Sequence, residues 1–249
     1  MDFKKEPSFQ SETVSEAIYG ESFEVEENLD DWLFGRLLSD NYFGYLPVTA
    51  LQKEEINLDT TWSYVNSNCA SIYSKPDPKS PIINTLFRNS RILKDQNQYN
   101  GFFEINFGMG YINEAHISFS EKITIPDDFV KIASSYIGTP YKWGGRTILG
   151  LDCSGLIQTS LHSLGINCPR DTKDQIKVLG TKIDLVANHS NLKNGDIIFW
   201  EGHVGIYIET NKILHSNMTT MDTRIENFNE VKTNLQRDKK EILSIKRID

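Results

Sequence analysis

The chain has 249 residues, and its 26 Lys and Arg against 34 Asp and Glu leave a net charge of −8. That balance argues against a nucleic-acid protein, whose footprint should be basic, and against a polybasic membrane-surface protein. Hydrophobic residues at 39% and aromatics at 11% supply a core and exclude disorder of the whole chain. Three cysteines (Cys69, Cys153, Cys168) make no disulfide framework.

No apolar stretch follows Met1-Asp2-Phe3-Lys4-Lys5, and no run of about 18 apolar residues occurs anywhere. The expectation is a cytoplasmic protein with reduced thiols and no membrane insertion. Residues 1–14 are polar and read as a flexible arm. Residues 15–58 look all-β: Phe23-Glu24-Val25-Glu26 alternates, Trp32–Leu38 is strand-like, Asp40-Asn41 is a turn signal, and Pro47 stops Tyr42–Leu46. Residues 59–123 repeat the grammar. Pro76, Pro78 and Pro81 punctuate a loop, Arg91–Lys94 and Phe102–Phe107 read as strands, and Gly110-Tyr111-Ile112 echoes Gly44-Tyr45-Leu46 at an offset of 66 residues. Two small β-barrels in tandem are expected, with one irregular β-domain as the other reading.

The texture changes at Pro126, so residues 124–249 form a third segment. Phe129, Ile132, Ala133, Tyr136 and Ile137 mark a helical stripe, led by Pro126, Asp127 and Asp128 and stopped by Gly138. A second helix runs from Asp152 or Cys153 to about Leu164, with Ile157, Leu161 and Leu164 as its apolar face. Strands follow at Asp196–Trp200, His203–Ile208 and Ile213–Ser216, and the tail from Ile225 reads as a final strand or helix with a solvated face. The fold class is α+β.

Cys153 stands out because it opens a helix behind a glycine-rich loop (Gly144, Gly145, Gly150, Gly155). There the positive helix end favours thiolate, and its N–H groups can hold an oxyanion. By position alone it reads equally well as a small buried hydrophobe. A thiol nucleophile needs an imidazole and a third polar group to orient it, and His203 and His215 are the candidates. Parity supplies a test. An even hairpin loop puts the two histidines on opposite faces. An odd loop, Glu209–Asn211, puts His215 opposite Gly205 and diagonal to His203, about 7–8 Å away. His116, His162 and His189 read as surface residues, and Cys69 and Cys168 as buried small ones. No Cys-x-x-Cys or His-x-x-x-His spacing exists, which argues against zinc, and no cofactor is expected.

Thr139-Pro140-Tyr141-Lys142-Trp143-Gly144-Gly145, Leu151-Asp152-Cys153-Ser154-Gly155-Leu156, Pro169-Arg170-Asp171-Thr172, Gly195–Trp200 and His203-Val204-Gly205-Ile206-Tyr207 together resemble the NlpC-type cysteine peptidases. These have a papain-like fold and cut bacterial cell-wall peptides, and the resemblance covers about residues 127–220. Gly20-Glu21, Trp32 and Gly44-Tyr45 resemble bacterial SH3 domains, which often precede such a domain. The resemblance implies Cys153 as nucleophile, His203 as base, His215 as orienting residue and Tyr141 as oxyanion donor. Asp152, Ser154, Asp171 and Thr172 would line the substrate pocket. The resemblance extends to γ-D-glutamyl-L-diamino-acid endopeptidases of the dipeptidyl-peptidase VI type. It implies a murein-derived peptide partner with a free N-terminal L-Ala, cut before the diamino acid (meso-diaminopimelate) in cell-wall recycling. The substrate ammonium needs a carboxylate, for which Asp171, Glu21, Glu24 and Glu26 are candidates. Arg146 and Arg170 are read either as ligands for a substrate carboxylate or as structural ion pairs. The competing readings are an amidase or acyltransferase on the same fold, and an inactive peptide-binding module.

Overall fold

The computed structural model describes residues 1–52, 62–106, 108–119, 127–184, 186 and 190–248. The Pro126 boundary and His189 lie outside them. The chain divides into two units, Met1–Lys122 and Ile123–Asp249.

The first unit is built of antiparallel strands. A five-stranded sheet runs in the order Thr13–Glu16, Asp2–Lys4, Tyr42–Pro47, Trp32–Leu37, Phe23–Leu29. Its core is Phe3, Leu37 and Leu46, each essentially inaccessible to solvent. Residues 1–14 are therefore not a loose arm. Asp2–Lys4 pairs on both sides, with Thr13–Glu16 and with Tyr45, because Phe3 has an apolar pocket to fill. A second set of strands follows: Lys94–Tyr99, Phe102–Ile105, Gly110–Asn113, Cys69–Tyr73 and Ile82–Phe87 in one sheet, Ile117–Phe119, Ser63–Val65 and Arg91–Ile92 in another. The 66-residue echo has a structural counterpart. Tyr42–Pro47 and Gly110–Asn113 each lead into a single 3-10 turn, Val48–Ala50 and Glu114–His116, and Phe103 faces Ile112 as Leu33 faces Leu46. Ala70 and Ile72 are the inward members of their strand, so Cys69, expected to be buried, is exposed.

The second unit is α+β. A six-stranded antiparallel sheet contains β1 (Thr181–Lys182), β2 (Ile197–Trp200), β3 (His203–Ile208), β4 (Lys212–Asn217), β5 (Asp222–Asn227) and β6 (Ile242–Arg247), in the spatial order β1-β6-β2-β3-β4-β5. Both of its faces are covered. One packs Ile197, Phe199, Val204, Ile206 and Leu214 against the helices α1 (Asp127–Ser134) and α2 (Cys153–His162). The other packs Ile198, Trp200, Tyr207, Ile213 and Ile245 against Phe228, Val231 and Leu235 of α4 (Phe228–Arg237). A short α3 (Thr172–Val178) lies between α2 and β1 in the chain. The tail thus holds a helix and a strand, and β6 is interior to the sheet.

Two expectations about the helices change. Ile137, read as the last member of the α1 stripe, is 48% exposed, because the helix ends at Ser134. Residues Cys153–Leu161 of α2 are all buried, not one face alone. Its polar side chains go inside because each finds a partner: Thr159 Oγ1 donates to the Arg146 carbonyl (2.9 Å), Ser160 Oγ to the Leu156 carbonyl (2.8 Å) and Gln158 Nε2 to the Cys168 carbonyl (3.0 Å). Buried polar groups cost little when bonded in this way. Leu156, Ile157 and Leu161 add about 1.5–3 kcal/mol each by full burial.

Candidate active site

Asp152 caps α2 and organises the loop in front of it. Its backbone is extended (φ −96°, ψ 178°) and its side chain accepts from the Gly155 N–H at 2.7 Å. The same carboxylate accepts from the Gly144 N–H (2.8 Å), Ser154 Oγ (3.2 Å) and both terminal nitrogens of Arg170 (3.0 and 2.5 Å). The pair is buried, with Arg170 2% and Asp152 6% exposed. Arg170 is therefore a structural ion pair, the second of its two readings. It also donates to Ser154 Oγ at 2.8 Å. Arg146 is buried as well, on the short ribbon Arg146–Thr147/Gly150–Leu151 that leads to Asp152. The glycines ahead of the cysteine have a packing reason. A Cβ on Gly155 would lie 2.1 Å from the Gly145 carbonyl oxygen, so loop and helix can touch only without one.

Cys153 is thereby fixed at the first turn of a buried helix, 6% exposed. Burial pushes its thiol up to about 11, and the Asp152 charge adds to this. The main-chain N–H groups of Val204 and Ser154 and the Arg170 guanidinium act in the opposite sense. The N–H of Val204 belongs to the second residue of β3, which places the sulfur beside the start of that strand, next in sequence to His203. Tyr141 lies on the loop that crosses this region. Its backbone N–H donates to the Met221 carbonyl (2.9 Å), and it bridges to Leu151 in parallel. Burial, followed by the charges of Cys153 and Asp152, holds its hydroxyl far above the usual tyrosine range, so it stays a donor.

β3 and β4 meet across an odd loop. Ile206 pairs with Leu214, Tyr207 with Ile213 and Ile208 with Lys212, leaving Glu209, Thr210 and Asn211 between them. Thr210 and Asn211 adopt positive φ (66° and 60°) to close it. His203 and His215 accordingly share a face, with His203 Nε2 3.0 Å from His215 Nδ1 and the rings nearly perpendicular. Gly205 lies between them, and a Cβ there would come within 3.2 Å of His215 Cβ. The Trp200 indole covers both rings at 4.6 and 6.1 Å. His203 is pushed down to about 3 by burial, then by the charges of His215 and Lys240, while Glu226 acts the other way. Thiol and imidazole both rest neutral near pH 7.

Two residues that sequence reasoning missed complete the row. Glu226 Oε2 accepts from His215 Nε2 (2.6 Å) and from Asn217 Nδ2 (2.9 Å). The signal for Glu226 is the alternation of Asp222, Arg224 and Glu226 along β5, which a tail beginning at Ile225 cuts in two; Asn217 carries none of its own. On the other wall, Asp171 precedes α3 without capping it through its side chain. It pairs with Lys173 at 3.3 Å, and it and Thr172 are half-exposed. Two of the first unit's three candidate glutamates are engaged within that unit. Glu21 accepts from the Ile18 N–H and Ser39 Oγ (2.7 Å each), and Glu24 from Arg36 (2.5 Å). His162, expected at the surface, is half-buried with Nε2 3.1 Å from the Cys168 carbonyl oxygen. Among the described residues no group of three or more His, Cys, Asp or Glu is placed to hold a metal ion. Among the same residues no helix is long and apolar enough to cross a membrane.

A helix-capped buried cysteine beside a histidine pair on an antiparallel sheet is the arrangement of a papain-like cysteine peptidase. Residues 138–238 match the NlpC/P60 family and form such a domain, and residues 4–51 match the bacterial dipeptidyl-peptidase Sh3 domain. The chain is 27% identical over 248 residues to dipeptidyl-peptidase 6 of Lysinibacillus sphaericus, covering 90% of this chain and 88% of that protein. It is 31% identical over 142 residues to γ-D-glutamyl-L-lysine dipeptidyl-peptidase of Bacillus subtilis, covering 53% of this chain and 46%, less than half, of the relative. Among solved structures, an NlpC/P60 family protein from Bacillus cereus superposes with a TM-score of 0.76 at 23% identity, covering 94% of this chain and 81% of that one, which speaks to the fold.

Proposed function

We propose that this protein hydrolyses the γ-D-glutamyl–diamino acid bond of peptidoglycan stem peptides that carry a free N-terminal L-Ala, with meso-diaminopimelate as the diamino acid. Its role is cell-wall recycling in the cytoplasm, where its free thiols Cys69, Cys153 and Cys168 stay reduced. The observation that carries the catalytic part is the buried Cys153 at a helix start, with the Val204 N–H acting on its sulfur, and next to Val204 in the chain His203, paired with His215 at 3.0 Å. The relatives named for γ-D-glutamyl-L-lysine and dipeptidyl cleavage support the choice of a γ-D-glutamyl–diamino acid bond.

In this reading His203 takes the proton from Cys153 as the sulfur attacks the γ-carbonyl carbon. The tetrahedral oxyanion receives hydrogen bonds from the Tyr141 hydroxyl and the N–H groups at the start of α2. Collapse breaks the C–N bond, and His203 gives its proton to the leaving amine. Water, deprotonated by His203, then cleaves the thioester, returning the thiol and a γ-carboxylate. Asp152, Ser154, Asp171 and Thr172 shape the pocket. Asp152 does so as a wall, since its oxygens are taken up by five donors of the chain. Asp171 is the better placed of the two aspartates to meet the substrate ammonium.

The test is incubation with L-Ala-γ-D-Glu-meso-diaminopimelate and with its N-acetylated form. Release of L-Ala-D-Glu from the free tripeptide alone is expected, with no turnover by Cys153→Ala or His203→Ala. Cleavage of neither peptide, or an active Cys153→Ala protein, overturns the reading. Equal cleavage of both removes the free-amine requirement.

A further inference from the structure

We propose that Glu226 is a positioning residue which fixes the tautomers of both histidines, and so decides which nitrogen of His203 acts as the base. The proposal deepens the peptidase reading and rests on it for its kinetic part.

The argument follows protons along three hydrogen bonds. A carboxylate only accepts. Glu226 Oε2 lies 2.6 Å from His215 Nε2, so that nitrogen carries a proton. A neutral imidazole has one N–H and one lone pair, so His215 Nδ1 is left as an acceptor. Its partner at 3.0 Å is His203 Nε2, which must therefore donate. The lone pair of neutral His203 is then on Nδ1, the nitrogen turned away from His215 and free to take the thiol proton. Reversing any one link puts a proton on that nitrogen and removes the base.

The surroundings show why the anchor is Glu226. His215 is 3% exposed, so water is no substitute acceptor for its Nε2. The strand register sets Arg224 directly opposite His215, with Glu226 on the diagonal. Arg224 is held by Asp222 through two bonds of 2.6 and 2.7 Å, which keeps its guanidinium off the imidazole. Asn217 Nδ2 donates to Glu226 at 2.9 Å and steadies the carboxylate from the same strand as His215. Among the described residues, the charged groups around the pair include Glu226, Asp222 and Arg224 on β5 and Lys240 beyond α4. Of these, Glu226 alone both accepts a hydrogen bond from the pair and carries negative charge. It also supports the imidazolium that His203 becomes during attack.

The experiment uses the full chain labelled with 15N-histidine, in which one- and two-bond imidazole couplings report which nitrogen bears the proton. For the unmodified protein, both His203 and His215 are expected as Nε2–H tautomers. Glu226→Ala should shift His215 towards Nδ1–H and leave His203 mixed, with kcat falling about tenfold or more and KM changing less than twofold. The loss should stay below the ~10²–10⁴-fold of losing the base itself. Glu226→Gln is near-isosteric and keeps an acceptor oxygen. It should preserve the tautomers and most of kcat, and it remains informative if the alanine variant does not fold. A His203 Nδ1–H tautomer in the unmodified protein, or unchanged tautomers in Glu226→Ala, overturns the proposal. The tautomer signals need no substrate. If they behave as expected while neither test peptide is cut, the substrate reading fails and the role of Glu226 stands.

Discussion

Replacing Gly205 by alanine tests how tightly the histidine pair depends on the sheet beneath it. The new Cβ would lie 2.8 and 2.9 Å from Ile213 Cδ1 and Cγ1, and 3.2 Å from His215 Cβ. Ordinary carbon contacts are about 3.5–4.0 Å. Ile213 is wholly buried between β4 and the α4 cluster, so its side chain has no empty space to enter. Overpacking of this kind costs about 1–3 kcal/mol. Stiffening of the unfolded chain returns about 0.4–1 kcal/mol of it. A net stability loss of about 1–2 kcal/mol is expected in urea unfolding. His215 must also retreat by a few tenths of an ångström. That stretches the 3.0 Å bond to His203 beyond the ~3.2 Å where such bonds remain good. If about 1–2 kcal/mol of that contact is lost in the transition state, kcat falls roughly 5–30-fold. Adding Ile213→Val removes the atom nearest the new methyl, so the double variant should regain stability but not rate. Unchanged stability and rate in Gly205→Ala would refute the reasoning. So would full rescue of kcat by Ile213→Val, because the contact with His215 would then be irrelevant.

Two further outcomes follow from the buried charges. Arg170→Met strands the Asp152 carboxylate inside the domain, and urea unfolding should show a loss of roughly 3–5 kcal/mol. Arg170→Lys should rescue little, since one ammonium does not replace a two-pronged guanidinium, and a loss below about 1 kcal/mol for Arg170→Met would show the pair to be dispensable. Cys153 and His203 also shape stability against pH. His203 lies near 3 when folded, against about 6.5 unfolded, so below pH 6.5 the unfolded chain binds the extra proton and stability falls towards pH 3. Cys153 lies near 11 when folded, so above about pH 9 the unfolded thiol ionises first and stability falls again towards pH 11. Cys153→Ala should flatten the alkaline limb. If that limb is identical in the variant, Cys153 is not the group that sets it.

What the sequence made legible was whatever depends on spacing along one strand or one helix. The helix opening at Cys153 is of this kind; for His203 and His215, parity along one hairpin reduces the question to an even or an odd loop, and the strand register makes it odd. What it concealed depends on partners far away in the chain. Ser154, Gln158 and Thr159 fall outside the Ile157, Leu161 and Leu164 face, and their burial makes sense only once Arg170, Cys168 and Arg146 supply their bonds. Residues 1–14 look unstructured until Tyr42–Pro47 offers an edge and Phe3 a pocket. Glu226 became part of the site only through a third strand, whose pairing with β4 no local pattern announced.

A single strand ties the histidine pair and the loop ahead of Cys153 into one frame. On one face of β4, His215 meets His203. On the other, Ser216 Oγ donates to the Leu151 carbonyl at 2.7 Å, two residues before the cysteine. Leu151 in turn accepts from the Lys142 N–H and donates to the Pro140 carbonyl, which ties in the Tyr141 loop. A slip of β4 by one residue would exchange its faces, removing His215 from the pair and Ser216 from the loop together. Cys153 and the imidazoles come from separate elements, yet their relative placement is set by one register, itself fixed at the odd loop Glu209–Asn211 and by the six residue pairs of β4 and β5. A two-residue turn, the commonest hairpin connection, would give the wrong parity, so the three-residue loop that Thr210 and Asn211 close at positive φ is what brings the two histidines to one face.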